Sequence, residues 1–295
     1  MSTLAEPTVA PARSWFPASR MPARVWRTSN GRAGMSICGV LLACVLLAVL
    51  GLLPADPIAQ APAEALQGPS GAHPFGTDQF GRDVFSRVLD GVRASLQVAV
   101  VAVAIAATVG TVAGIAAGFL GGWVDGIVGR IADVVFAFPA ILLALAVVSA
   151  LGTGWLNTAL AIAVVYTPIF VRVARGPVLS LRDADFVRAG RVLGFSSGRL
   201  LFRHVLPNVT APIVVQVALA LSWAILTEAS LSFLGLGTKP PAASLGLMVS
   251  DARTLAVDAW WTLVFPAGAI VLAVIGLNLL GDGLRDALDP RRENR

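Results

Sequence analysis

Lysine is all but absent from this sequence: Lys239 is the only one in 295 residues. A nucleotide-binding P-loop ends in Gly-Lys-Ser/Thr, but Lys239 stands between Thr238 and Pro240. The chain is therefore not a P-loop ATPase. Charge of either sign is scarce, 13% of residues against about 25% in a soluble domain. Only two cysteines occur, Cys38 and Cys44. Six positions apart on one apolar helix, they would face different directions about 9 Å apart along the axis, which excludes a disulfide within that helix. They read as small core residues. The two histidines, His73 and His204, have no Cys or His partner at ligand spacing, so no metal site is expected. The net charge of +5 does not point to nucleic acid, because the arginines are scattered between apolar runs and aromatics are few.

What the chain does have is apolar sequence: 56% of residues, with a mean hydropathy of +0.79. Lipid, rather than water, is the natural solvent for such a composition. Residues 1–32 form a polar tail with Arg13, Arg20, Arg24, Arg27 and Arg32, and a short amphipathic stretch near Trp15 and Trp26. Ala33–Leu53 then runs without a charge. Its leader is too long and its apolar run too wide for a signal peptide, so it reads as an uncleaved first span. Five more candidate spans follow: Ala94–Phe119, Val134–Leu151 with Pro139 near its start, Leu156–Val171 with Pro168, Val209–Leu234 and Trp260–Leu280. Each is near the roughly 20 residues that cross a bilayer as a helix. The expected fold is all-α, a polytopic membrane protein of six transmembrane helices. Residues 54–93 would be external, 94–283 a permease core and 284–295 a C-terminal tail. With the N-terminus in the cytoplasm, seventeen basic residues fall on the cytoplasmic side and five outside; the positive-inside rule then puts both termini in the cytoplasm.

The segment between the fourth and fifth spans, about 175–208, is the largest internal feature. Leu181–Leu193 reads as an amphipathic helix with Asp183 near its start. Phe186, Val187, Gly190 and Leu193 form its apolar face, and Arg188 and Arg191 its polar one. Gly194 suits the left-handed residue that ends a helix. Ser196 or Ser197 can cap a second short helix through Leu200, Leu201 and Val205, which Pro207 is expected to stop. Two short amphipathic helices argue against a merely solvated connector. Gly194-Phe195-Ser196-Ser197-Gly198 fits a hydrolase nucleophile elbow, but it lacks the preceding strand and the distant Asp–His pair. Asn208-Val209-Thr210 is a glycosylation sequon on the wrong side of the membrane.

Phe186-Val187-Arg188-Ala189-Gly190-Arg191-Val192-Leu193-Gly194, followed by His204-Val205-Leu206-Pro207-Asn208, resembles the EAA loop of ABC importer permeases. Arg188 replaces the signature glutamate, and Gly190 the second alanine. His73-Pro74-Phe75-Gly76-Thr77-Asp78, Gly81-Arg82-Asp83-Val84-Phe85-Ser86-Arg87, Phe136-Ala137-Phe138-Pro139, Glu228–Gly237 and Asp282–Pro290 are similar to the dipeptide/oligopeptide/nickel branch, C-type member of the pair. The resemblance spans about residues 33–290. It implies the bacterial inner membrane, a second homologous permease, two cytoplasmic ATPases that bind ATP and Mg, an external solute-binding protein, and no cofactor or catalytic residue on this chain. It further implies that Asp185, Arg188, Ala189, Gly190, Leu193, Gly194, Phe195, Leu201, Phe202 and Pro207 couple the loop to an ATPase. Gly194 would set the angle between the two short helices, and Leu193, Phe195, Leu201 and Phe202 would contact the ATPase groove. The arginines would pair with acidic ATPase surface or with lipid headgroups.

Two features lie within the membrane. Gly110, Gly114, Gly118 and Gly122 recur every four residues, a spacing that lets helices approach closely. Glu228 is the only acid well inside a span; it is either hydrated near the external surface or part of the translocation path. Trp260 and Trp261 fit an interfacial belt. The solute is expected to be a dipeptide or oligopeptide, with nickel chelates or another small solute as the alternative. A secondary transporter should show an inverted repeat and broken midplane helices, and a membrane hydrolase needs a nucleophile–base pair. Neither signature stands out.

Overall fold

The computed structural model describes residues 21–288. Arg13, Trp15, Arg20 and the tail from 289 onward lie outside the described residues. Among those described there is no strand, and β pairing is limited to one isolated bridge between Thr77 and Asp83. The helices are α1 (Met21–Arg27), α2 (Ser29–Val49), α3 (Val84–Leu120), α4 (Gly122–Phe136), α5 (Ala140–Leu151), α6 (Trp155–Arg182), α7 (Asp185–Val192), α8 (Ser197–Leu200), α9 (Leu206–Phe233), α10 (Leu245–Ala252) and α11 (Trp261–Leu288). The protein is all-α and polytopic. Among the described residues five stretches are long and apolar enough to cross a membrane, and α4 with α5, bent by 95°, brings the number to six if the pair is one span.

The boundaries differ from those expected, for local reasons. The helix that carries the first span begins at Ser29, because Thr28 accepts a hydrogen bond from the Gly31 amide at 3.0 Å and so caps α2 early. The segment 54–93 is not all loop. Asp83 caps α3 by accepting from the Ser86 amide at 2.8 Å, which starts that helix at Val84. The expected third span, Val134–Leu151, is not one helix: α4 ends at Phe136, and Pro139 starts α5 after a sharp turn. The fourth span does not end near Val171 but runs through Pro168 and Pro177 to Arg182, which helices packed among neighbours tolerate.

The direction of each helix follows from its contacts. A Cβ added at Gly110 would meet Thr167 and Phe170, one at Gly114 would meet Val171, and one at Gly118 would meet Val178, in each case under 3.0 Å. Partner numbers rise together, so α3 and α6 run parallel in close contact, and α4–α5 must carry the chain back between them. Gly122 does not belong to that seam. It starts α4 with φ +57°, and nothing lies within 4 Å of its Cβ position. Helices α2 and α11 run antiparallel, with Gly283 against Gly31 and Gly276 against Ile37.

At the end where α3 begins, residues 54–83 fold into an ordered cap. Thr77 accepts from the Gln67 amide and donates to the Glu64 carbonyl. Phe75 stacks on Phe265 with ring centroids 3.8 Å apart. Trp261 is buried here and donates its indole N–H to the Thr77 carbonyl at 3.0 Å. Only Trp260, half exposed, is free to lie in an interfacial belt.

Candidate functional site

At the opposite end of the bundle, residues 183–205 leave and rejoin the spanning helices. Helix α6 stops at Arg182, so the expected helix Leu181–Leu193 is in fact split. Asp183 caps the end of α6, and α7 begins only at Asp185. Gly194 closes α7 with φ +77°. The Phe195 amide donates to the Gly190 carbonyl at 2.9 Å and the Gly194 amide to the Arg191 carbonyl at 3.0 Å, the paired bonds of a Schellman turn. Ser196 then accepts from the Arg199 amide at 3.4 Å and caps α8.

Pro207 does not stop the second helix. The chain passes from α8 through a single π turn, Leu201–Val205, directly into α9. Pro207 lies in the first turn of α9, where the proline's missing N–H costs little.

The loop has its own small core. Val187, Leu200, Val205 and Val209 pack with Ile115 of α3 and with Ala174 and Val178 of α6. Gly190 is part of this packing, because a Cβ there would come under 3.0 Å from Leu200. Phe195 and Leu201, expected to contact a partner, are partly buried against this core; the Phe195 ring lies over His204 and under the Arg199 guanidinium. Leu193 and Phe202 do face outward, 72% and 69% exposed. They are joined by Phe186 and by Val192, which is 88% exposed. Val192 was not singled out in the sequence because the α7 periodicity gives it no strong side. Asp185, Arg188 and Ala189 are exposed on α7.

Three arginines on α6 tie this end of the molecule to its neighbours. Arg175 makes a two-pronged ion pair with Asp125 of α4. Arg172 reaches Asp133 at 2.8 Å and lies over the Phe136 ring at 4.0 Å. Arg182 donates to the Gly118 carbonyl at 3.4 Å. The loop is therefore a knuckle with a fixed shape, seated on α3 and α6, with an apolar outer surface.

Glu228 is neither hydrated at the rim nor open to a path. It is 1% exposed and accepts hydrogen bonds from Ser95 of α3 at 2.6 Å, Ser232 at 2.6 Å and Ser244 at 3.1 Å. Three hydroxyl donors replace the hydration a carboxyl group would otherwise need. The glutamate pins α3, α9 and the start of α10 together. The sequence offered Ser232 one turn from Glu228, but Ser95 and Ser244 are brought in by tertiary packing alone. No cluster of three or more metal-ligating side chains occurs among the described residues.

The family profile described as "Binding-protein-dependent transport system inner membrane component" matches residues 110–294. A dipeptide transport system permease protein of Alkalihalophilus pseudofirmus is 46% identical over 264 residues, 88% of this chain and 87% of the relative. A putative peptide transport system permease protein of Brucella suis is 41% identical, covering 99% of this chain and 98% of its own. A glutathione transport system permease protein of Pectobacterium atrosepticum is 46% identical over 76% of this chain and 75% of the relative.

Proposed function

This chain belongs to the family of binding-protein-dependent transport system inner membrane components, and on that premise we propose that it forms half of the channel of an ATP-driven peptide importer. The loop 183–205 is its lever. The observation that carries this reading is the knuckle itself: a self-packed pair of short helices, fixed by Gly194 and its Schellman bonds, with Phe186, Val192, Leu193 and Phe202 turned outward.

An apolar knob bordered by arginines suits a groove on another protein better than water. We assign that groove to a cytoplasmic ATPase, which binds ATP and Mg; a second permease and an external solute-binding protein complete the assembly. Closure of the ATPases on ATP would draw the knuckles together and turn the channel from inward to outward access. The N-terminal helix α1, the end of α11 and the loop share one end of the bundle, and most of the described arginines lie there. The positive-inside bias assigns that end to the cytoplasm.

The solute class follows from the relatives, whose names carry dipeptide, peptide and glutathione, glutathione being itself a tripeptide. Nickel chelates are the weaker alternative, since none of these three relatives' names carries nickel. The test is reconstitution of the chain with a second permease, two ATPases and the binding protein, followed by uptake of labelled di- and tripeptides. ATP-dependent uptake that is lost on Leu193→Asp, with the four-subunit complex no longer formed, is the expected result. Uptake without any ATPase would overturn the proposal.

A further inference from the structure

At the cap end of the molecule an ion network is left incomplete. Arg82 in the cap and Arg87 on α3 are both buried, at 6% and 2% exposure, and both turn to one carboxyl group. Arg82 Nε donates to Asp78 Oδ2 at 2.6 Å, and Arg87 Nε lies 3.5 Å from the same oxygen. Arg87 Nη1 donates to the Pro57 carbonyl at 2.8 Å and reaches the Pro241 carbonyl at 3.5 Å. Three guanidinium nitrogens are left over, both Nη atoms of Arg82 and Nη2 of Arg87. They make no hydrogen bond among the described residues. Buried charged donors without an acceptor are strongly disfavoured.

An acceptor stands across a narrow gap. Asp78, Gln79, Arg82 and Arg87 share the lining of a cavity of about 20 Å³ with Met248 and Asp251 of α10. A space of that size holds a water molecule and little more. Asp251, on the last turn of α10, is exposed and makes no hydrogen bond or ion pair among the described residues. Two guanidinium groups short of acceptors therefore share a water-sized space with a carboxylate short of donors. The other end of α10 is held. Ser244 donates to Glu228 at 3.1 Å, and Gly246 packs on the Ala229 backbone so closely that a Cβ there would clash. The helix thus has a fixed point near α9 and an unpaired charge at the end beside the cap.

We propose that Asp251 and the Arg82–Arg87 pair form a latch between α10 and the cap, open in this conformation and closed in the other conformation of the transport cycle. Closure needs a small tilt of α10 about Ser244, with rotation of the Asp251 side chain. It creates a charge-assisted hydrogen bond to nitrogens that otherwise lack an acceptor. Residues 253–260 lead from Asp251 to Trp261, which the cap already holds through the Thr77 carbonyl. Closing the latch therefore draws the ends of α10 and α11 onto the cap together. An ion pair at the edge of solvent is weak enough to reopen in each cycle. The latch rests on the importer reading above only for what drives the change, not for its geometry.

The experiment uses the assembled transporter, in detergent for Tm and in proteoliposomes for uptake of a labelled tripeptide. Asp251→Glu carries the carboxylate one methylene further, so the latch can close without movement of α10. This variant should show a raised Tm and an uptake lowered by roughly fivefold, the bias that one added hydrogen bond gives to a single state. Asp251→Asn, which has no charge to pair, should lower uptake without raising Tm. Arg82→Gln also removes the bond to Asp78, so only the non-additive part of its effect counts. Combined with Asp251→Glu, it should abolish the gain in Tm. Wild-type uptake in both Asp251 variants, or a gain in Tm that survives Arg82→Gln, would overturn the latch. If the wild-type assembly shows no ATP-dependent uptake, the importer reading fails, and the latch stands or falls on the Tm comparison, which needs no nucleotide.

Discussion

Ser95 and Glu228, 133 positions apart in sequence, meet at 2.6 Å inside the bundle, where the Ser95 hydroxyl donates to Oε2 of the carboxyl group. Ser232 and Ser244 supply the other donors. A single side chain on α9 thus governs the relative position of α3 and α10. Glu228→Ala leaves three buried hydroxyls without their acceptor. It is expected to destabilise the protein by about 2–3 kcal/mol, read as a lowered Tm in detergent. Glu228→Gln keeps one carbonyl acceptor and should cost less. Equal Tm values for wild type and alanine variant would remove the pinning role.

The α3–α6 seam makes a sharper size prediction. Gly114→Leu forces a side chain into the Val171 backbone, and overpacking costs about 1–3 kcal/mol or more where backbone must shift. Gly126→Ala, with nothing within 4 Å of its Cβ position, should be silent. Thermal unfolding of the two variants side by side checks the contrast.

Arg175 and Asp125 can be tested as a pair. Asp125→Arg alone should loosen α4 from α6 and reduce ATP-driven uptake, and so should Arg175→Asp alone. The double exchange restores opposite charges across the same gap and should recover most of the uptake. A double variant no better than either single one would show that the pair is incidental.

Gly194→Val places a branched residue at φ +77°, a left-handed backbone that such residues avoid. Membrane insertion, measured by fractionation, should be intact, whereas ATP-dependent uptake should fall by roughly tenfold or more through loss of the turn that orients α8. Full uptake in this variant would show that the turn plays no part in coupling.

The all-α fold and the position of the loop were legible in the sequence because both rest on local signals. Apolar run lengths mark the spans, and Gly194 and Ser196 mark the turn and the cap. The misplaced starts and ends of α3 and α6 share one cause. Hydropathy ends a helix where charge begins, but Asp83 caps α3 among charged residues, and Arg175 and Arg182 extend α6 beyond its apolar stretch because Asp125 and the Gly118 carbonyl receive them. Pro207 was read as a stop, although a proline in a first turn follows a π turn without breaking the helix. The burial of Glu228 depends on Ser95, 133 positions away in the chain, which no local pattern reveals.

From Ser197 to Phe233 the chain is helical without interruption for 37 residues, a rod about 55 Å long. Its middle is held by α3, α6 and α11, while Phe202 protrudes at one tip and Phe233 reaches the far rim. With Glu228 bonding the rod to α3 and to the start of α10 near the cap, and Val205 and Val209 packed on α3 and α6 at the other end, α9 has no joint at which a push on its Phe202 end could be absorbed, and it can shift only together with the helices that grip it.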